Sequence, residues 1–185
     1  FKIRIRIPGW VMNSAVPSDL YRFESGSNAK PGIKVNGEAV AYELENGYAV
    51  ISRTWKKNDV MEVRLPMEVK RVTANEKIKN DIGKVALQRG PIMYCAEWAD
   101  NNGKTSNIIL PSASGFIAGF KPGLLNGVMT LRTEAPVVSV NNDESVTTER
   151  RSITLVPYYS WANRGKGEMT VWFPAWVKDV ELLSR

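Results

Sequence analysis

Strict alternation opens the chain. In residues 1–7, FKIRIRI, Phe1, Ile3, Ile5 and Ile7 fall on one face and Lys2, Arg4 and Arg6 on the other, the period of two expected of a half-buried strand. Pro8 and Gly9 end it, since proline lacks the N–H that a ladder requires. Residues 12–32 lose the alternation and mix serine, proline, glycine and charge, with Leu20, Tyr21 and Phe23 as the only strong apolar group; a long loop is predicted. Short alternating runs then return. Asn36 and Gly37 split residues 33–40, and Asn46 and Gly47 precede a strand over 48–52. The first pair suits a type I′ hairpin turn, because both residues accept positive φ. KKND at 56–59 turns the chain into 61–65, where Met61, Val63 and Leu65 alternate with Glu62 and Arg64 before Pro66 closes the run. Short strands joined by turn residues at this spacing predict an antiparallel β-sandwich.

Residues 73–83, TANEKIKNDIG, are polar and precede a change of pattern, so we expect two consecutive sandwich domains, residues 1–75 and 76–185. In VALQRGPIMYCAEW (85–98), two apolar runs are broken at Arg89, Gly90 and Pro91, which predicts a bulge or sharp corner. Turn-rich residues 100–106 read as a loop, 116–131 as short strands and turns, 137–140 as a brief strand, 141–149 as a polar loop and 177–182 as a last strand. Residues 150–176 read as a β-hairpin with arms at 153–156 and 169–173. Between the arms lies PYYSWANRGKG, eleven residues rich in aromatic side chains.

Composition narrows the chemistry. The 185 residues are 43% hydrophobic and 24% charged, ordinary for a globular protein with a core that needs no staples. No run approaches the roughly eighteen apolar residues of a membrane span, so no membrane partner is expected. The net charge is +6, but the basic residues are spread along the chain, and no nucleic-acid partner is expected. There is no histidine and one cysteine, Cys95. Histidine-based triads, a Cys/His zinc site and an internal disulfide are thereby excluded. Cys95 sits in an apolar run without an adjacent base and reads as a buried structural thiol.

Glycoside hydrolysis needs two carboxyl groups flanking one bond. The acidic groupings Glu97 with Asp100, Glu43 with Glu45, and Asp143, Glu144 and Glu149 read as solvated surface, so no catalytic residue is assigned. The aromatic loop is the better candidate for binding. Tyr158, Tyr159 and Trp161 offer ring faces that stack on sugar C–H groups, and Asn163 and Arg164 offer donors for hydroxyls. Core or interdomain packing is the competing reading, and Trp10, Trp55, Trp98 and Trp172 are read as core.

FKIRIRIPGW, IKVNGE, GYAVISRTWKKNDVMEVRLPMEVKRV, GKVALQRGPIMYCAEWADN and LVPYYSWANRGKGEMTVWFP occur in this order. Together they resemble the C-terminal part of glycoside hydrolase family 127, the β-L-arabinofuranosidase-like proteins. The resemblance covers nearly the whole chain. It implies a longer enzyme with an N-terminal catalytic (α/α)6 barrel followed by two β-sandwich domains, which serve scaffolding and homodimer contacts. It also implies, in the barrel, a cysteine nucleophile, a glutamate acid/base and a zinc held by cysteines and a glutamate. None of these can be carried to a position here, so this chain is expected to hold no cofactor. It further implies strands of the first sandwich ahead of Phe1, leaving that sandwich incomplete at its N-terminal edge, and a periplasmic or secreted longer protein; the residues themselves leave the compartment open.

Overall fold

The computed structural model describes residues 1–141, 143 and 145–179. Among these residues the fold is all-β and antiparallel, with single 3-10 turns as its only helical pieces. The first seven strands are β1 (Lys2–Arg6), β2 (Tyr21–Phe23), β3 (Gly32–Val35), β4 (Glu38–Ala39), β5 (Glu43–Glu45), β6 (Tyr48–Ser52) and β7 (Met61–Arg64). Six of them make two three-stranded sheets, ordered β1-β6-β5 and β4-β3-β7. The sheets share a core in which Ile33 from one meets Ala49 and Ile51 from the other, with Ile7, Val11 and the rings of Trp10 and Trp55 around them. The opening alternation holds in part: Ile7 is buried and Ile3 and Ile5 half-buried, but Phe1 is 82% exposed and stacks on Trp55.

Local turn chemistry sets these hairpins. Val35 pairs with Glu38 across Asn36 and Gly37, at φ 54° and 84°. Glu45 pairs with Tyr48 across Asn46 and Gly47, at φ 51° and 82°. Both are two-residue loops with positive φ at each central position, the arrangement that matches strand twist.

The second half contributes β8 (Val69–Ala74), β9 (Lys84–Arg89), β10 (Ile92–Glu97), β11 (Ile117–Lys121), β12 (Val128–Val140), β13 (Val146–Pro157), β14 (Met169–Thr170) and β15 (Phe173–Pro174). Together with β2 they form one nine-stranded sheet along the path β11-β12-β13-β10-β9-β8-β2, with β14 on β10 and β15 on β9. The path stays open rather than closing into a barrel. Its core joins Val85, Leu87, Tyr94, Leu131, Ile153, Leu155 and Phe173 to Ile108 and Leu110, which arrive from a connecting segment.

Several expectations are corrected. Within the supposed loop 12–32, Tyr21–Phe23 is a strand that leaves the first sandwich and pairs with β8 in the large sheet. By contrast, the sharp corner expected at Gly90 and Pro91 is present, as a tight two-residue turn in which Arg89 pairs with Ile92 and Gly90 takes φ 60°. Residues 128–140 form one strand, and 146–149 extend its partner β13. Residues 177–179 make a 3-10 turn; the rest of the expected strand at 180–182 lies outside the described residues.

Candidate functional site

The arms of the expected aromatic hairpin are not partners. β10 lies between them. Cys95 and Ala96 pair with Val156 and Leu155 of β13 on one edge, and Ala96 and Glu97 pair with Thr170 and Met169 of β14 on the other. Residues 157–168 therefore leave one side of β10 and return on its opposite side, forming a strap over the strand's end. Alternation puts Cys95 and Glu97 on the same face of β10.

What pins the strap is Glu97. Its side chain is almost wholly buried at 1% exposure. One carboxylate oxygen accepts the Ala162 N–H at 3.1 Å, and the other accepts Arg164 Nε at 3.1 Å and Arg164 Nη2. Asp100, on the 3-10 turn that follows β10, takes Arg164 Nη1 and Nη2 at 2.8 and 2.6 Å. These hydrogen bonds, Asp100's above all, raise the guanidinium's pKa against the opposing effect of burial. Glu97 and Asp100 are thus corrected from solvated surface to the anionic half of a buried ion cluster. Of the other groupings, Glu45 pairs with Arg4 and Glu149 with Arg151, both exposed, and Glu144 lies outside the described residues.

The return leg crosses a tryptophan. A Cβ on Gly167 would stand 2.2 Å from the Trp98 ring, and one on Gly165, at φ 99°, would stand 3.8 Å away. Only a backbone without side chains lies this flat on an indole. Glu168 then accepts Thr105 N, Ser106 N and Ser106 Oγ at 2.9, 3.2 and 3.1 Å. Those bonds, Thr105's first, hold its carboxyl below the ordinary range.

The five candidate residues divide into two groups. Tyr158, Tyr159 and Trp161 are 44%, 69% and 38% exposed. The rings of Tyr158 and Trp161 stack on each other at 6.2 Å and 28°. Asn163 points its amide at the backbone, donating to Ser160 O at 3.0 Å and Trp161 O at 3.3 Å. Arg164 spends four of its five N–H groups on Glu97 and Asp100. Sequence reasoning missed the anchors Glu97, Trp98, Asp100 and Glu168. Two signals pointed to them: an acid inside an apolar strand run, and two glycines set two residues apart after a loop arginine.

The lone cysteine is not arranged to react. The Cys95 thiol is fully buried and donates weakly to Val156 O at 3.7 Å; burial, then the nearby Glu97 charge, pushes its pKa up to about 12. It is the inert thiol that the sequence predicts. A concavity of about 840 Å³ lies elsewhere, between the loop ahead of β2 and the start of β9. Its Arg71 is committed to Glu24 and to the carbonyls of Leu110 and Pro111.

The glycoside hydrolase family 127 C-terminal domain matches residues 69–174, and the GH127 middle domain of β-L-arabinofuranosidases matches residues 1–67. The chain belongs to glycoside hydrolase family 127. The family 127 chain is 35% identical to the non-reducing end β-L-arabinofuranosidase of Bifidobacterium longum subsp. longum, over 90% of its own length and 25% of that protein's. Among solved structures, a GH127 β-arabinofuranosidase is 42% identical with a TM-score of 0.90, over 98% of this chain and 28% of that one. A GH127 β-L-arabinofuranosidase from Geobacillus stearothermophilus T6 is 36% identical with a TM-score of 0.78, over 94% and 26%. The chain thus spans about a quarter of the length of these relatives. The two family matches meet between residues 67 and 69, at the start of β8.

Proposed function

We propose that this chain is a non-catalytic accessory region of a family 127 glycoside hydrolase. In this reading a catalytic (α/α)6 barrel outside the chain hydrolyses β-L-arabinofuranosides of plant-derived glycans, while the sandwich region buttresses the barrel and contributes to a dimer. The observation that carries it is the pairing of extent with identity: the chain matches middle and C-terminal domains and spans about a quarter of enzymes named for that hydrolysis. The site chemistry supports it. Glu97, the most buried carboxylate among the described residues, has both oxygens engaged by the strap that covers it, so it is not open to a substrate. The zinc that the family resemblance implies does not fit the residues present. Cys95 is a protonated, fully buried thiol, the chain has no histidine, and no three Cys, Asp or Glu side chains converge among the described residues.

The test is hydrolysis of an aryl β-L-arabinofuranoside by the chain alone and by the longer polypeptide that contains it. The chain should be inert and the longer polypeptide active. Turnover by the chain alone would overturn the proposal.

A further inference from the structure

We propose that the strap over β10 is a preformed docking face for the rest of the longer polypeptide, with Tyr158, Tyr159 and Trp161 as its anchoring side chains. This rests on reading the chain as an accessory portion of that polypeptide and names the surface it would use.

Three observations carry the inference. The first is exposure in the wrong place: three large rings within four residues stand 38–69% exposed on a loop that is tied down at Ser160, Ala162, Asn163 and Arg164. Ser160 Oγ donates to Pro157 O at 2.7 Å, Asn163 to Ser160 O, Ala162 to Glu97, and Arg164 to Glu97 and Asp100. Ala162 is held at φ 65°, a conformation that costs a non-glycine residue about 1 kcal/mol or more. A buried ion pair adds little net stability compared with apolar packing. What the cluster does supply is one fixed loop conformation, and a surface ordered in advance loses little entropy when it binds.

The second observation separates protein from sugar. A sugar platform needs open ring faces with unspent donors beside them. Here Tyr158 and Trp161 turn faces toward one another, and Asn163 and Arg164 are spent within the chain. The surface that remains is aromatic, and Arg164 is turned away from it onto Glu97 and Asp100. Tyrosine and tryptophan enrichment with depletion of charge marks the core of a protein interface.

The third observation selects the occupant. About three quarters of the length of the matched relatives lies outside this chain's extent. A permanent intrachain contact is where an exposed aromatic face is covered from the start.

The experiment is hydroxyl-radical footprinting of the longer polypeptide, calibrated with added N-acetyl tyrosinamide and tryptophanamide. Tyr159 and Trp161 should be oxidised at least about five-fold more slowly than their exposure in this chain dictates, as for anchors buried at an interface centre. The paired variant Tyr159→Asp with Trp161→Asp should lower the thermal midpoint of the longer polypeptide by more than it lowers that of the 185-residue chain. Full reactivity of both rings in the longer polypeptide overturns the inference. So does protection that appears only on adding an arabino-oligosaccharide, which would make the strap a sugar surface. Protection lost on dilution to monomer also overturns it, by giving the face to a second copy. Hydrolysis measured on the same samples keeps the two proposals apart: an inert chain, an active longer polypeptide and reactive rings would leave the accessory reading standing and remove this one.

Discussion

Glu97 carries a charge into a place where the strand pattern would put an apolar side chain, and Arg164 is what makes that tolerable. Removing one member of a buried pair leaves the other charge unsatisfied, which costs about 3–5 kcal/mol. Arg164→Ala should therefore destabilise the chain by roughly that amount in urea denaturation. A loss below about 1 kcal/mol would mean that Glu97 reaches water once the strap lifts. The pair was illegible in the sequence for a physical reason. Glu97 and Arg164 stand 67 positions apart, and local spacing reports only neighbours on one strand, so Glu97 and Asp100 looked like surface acids. Cys95 was legible because its surroundings are local: the apolar run that flanks it is the run that buries it, and the raised pKa follows from that burial.

At the scale of elements, what the sequence exposes is whatever a short stretch decides alone. Asn36-Gly37 and Asn46-Gly47 are visible because positive φ is a property of those residues. The aromatic hairpin was misread because its arms do read as strands, the first apolar and the second alternating, while their partner, β10, comes from another part of the chain. β12 was misread because Pro136 interrupts it; the strand continues since Pro136 still pairs with Arg150 and lends its carbonyl to Ile109 N at 2.9 Å. One carboxylate helps to tie the strap's return leg. Glu168 is held below its ordinary value of 4.5 by the Thr105 and Ser106 donors, so the stability it contributes is present above pH 4.5 and is lost as pH falls through the lowered folded-state pKa. Thermal midpoints measured from pH 6 to 3 should fall less steeply for Glu168→Gln than for the natural chain. Equal slopes would show that the tie does not depend on charge.

For the whole molecule, the all-β sandwich class and the family were legible, because several separate phrases agree in order with the family domains that the chain matches. The course of residues 12–32 was not. Tyr21–Phe23 pairs with Phe23 opposite Val72 and Tyr21 opposite Ala74, and the bonds Glu24 N to Arg71 O and Asn75 N to Leu20 O extend the contact at each end. Tyr21 also stacks on Trp172 at 5.5 Å. A chain cut to residues 68–185 would lose that strand and bare the edge of β8, and bare edges invite strand pairing between molecules. We expect it to melt at a lower temperature than the 185-residue chain and to associate on a sizing column. An unchanged midpoint would show that β2 is dispensable.

The crossing strand also bears on how such domains can be exchanged. A sequence seam falls between residues 67 and 69, yet the ladder beside it draws its outermost rung from residues 21–23. Recombination at that seam would join a middle domain to a large sheet whose edge was shaped by a different donor. The two halves are stitched rather than abutted, and a graft that respects the stitch must carry residues 20–24 along with the sheet they complete.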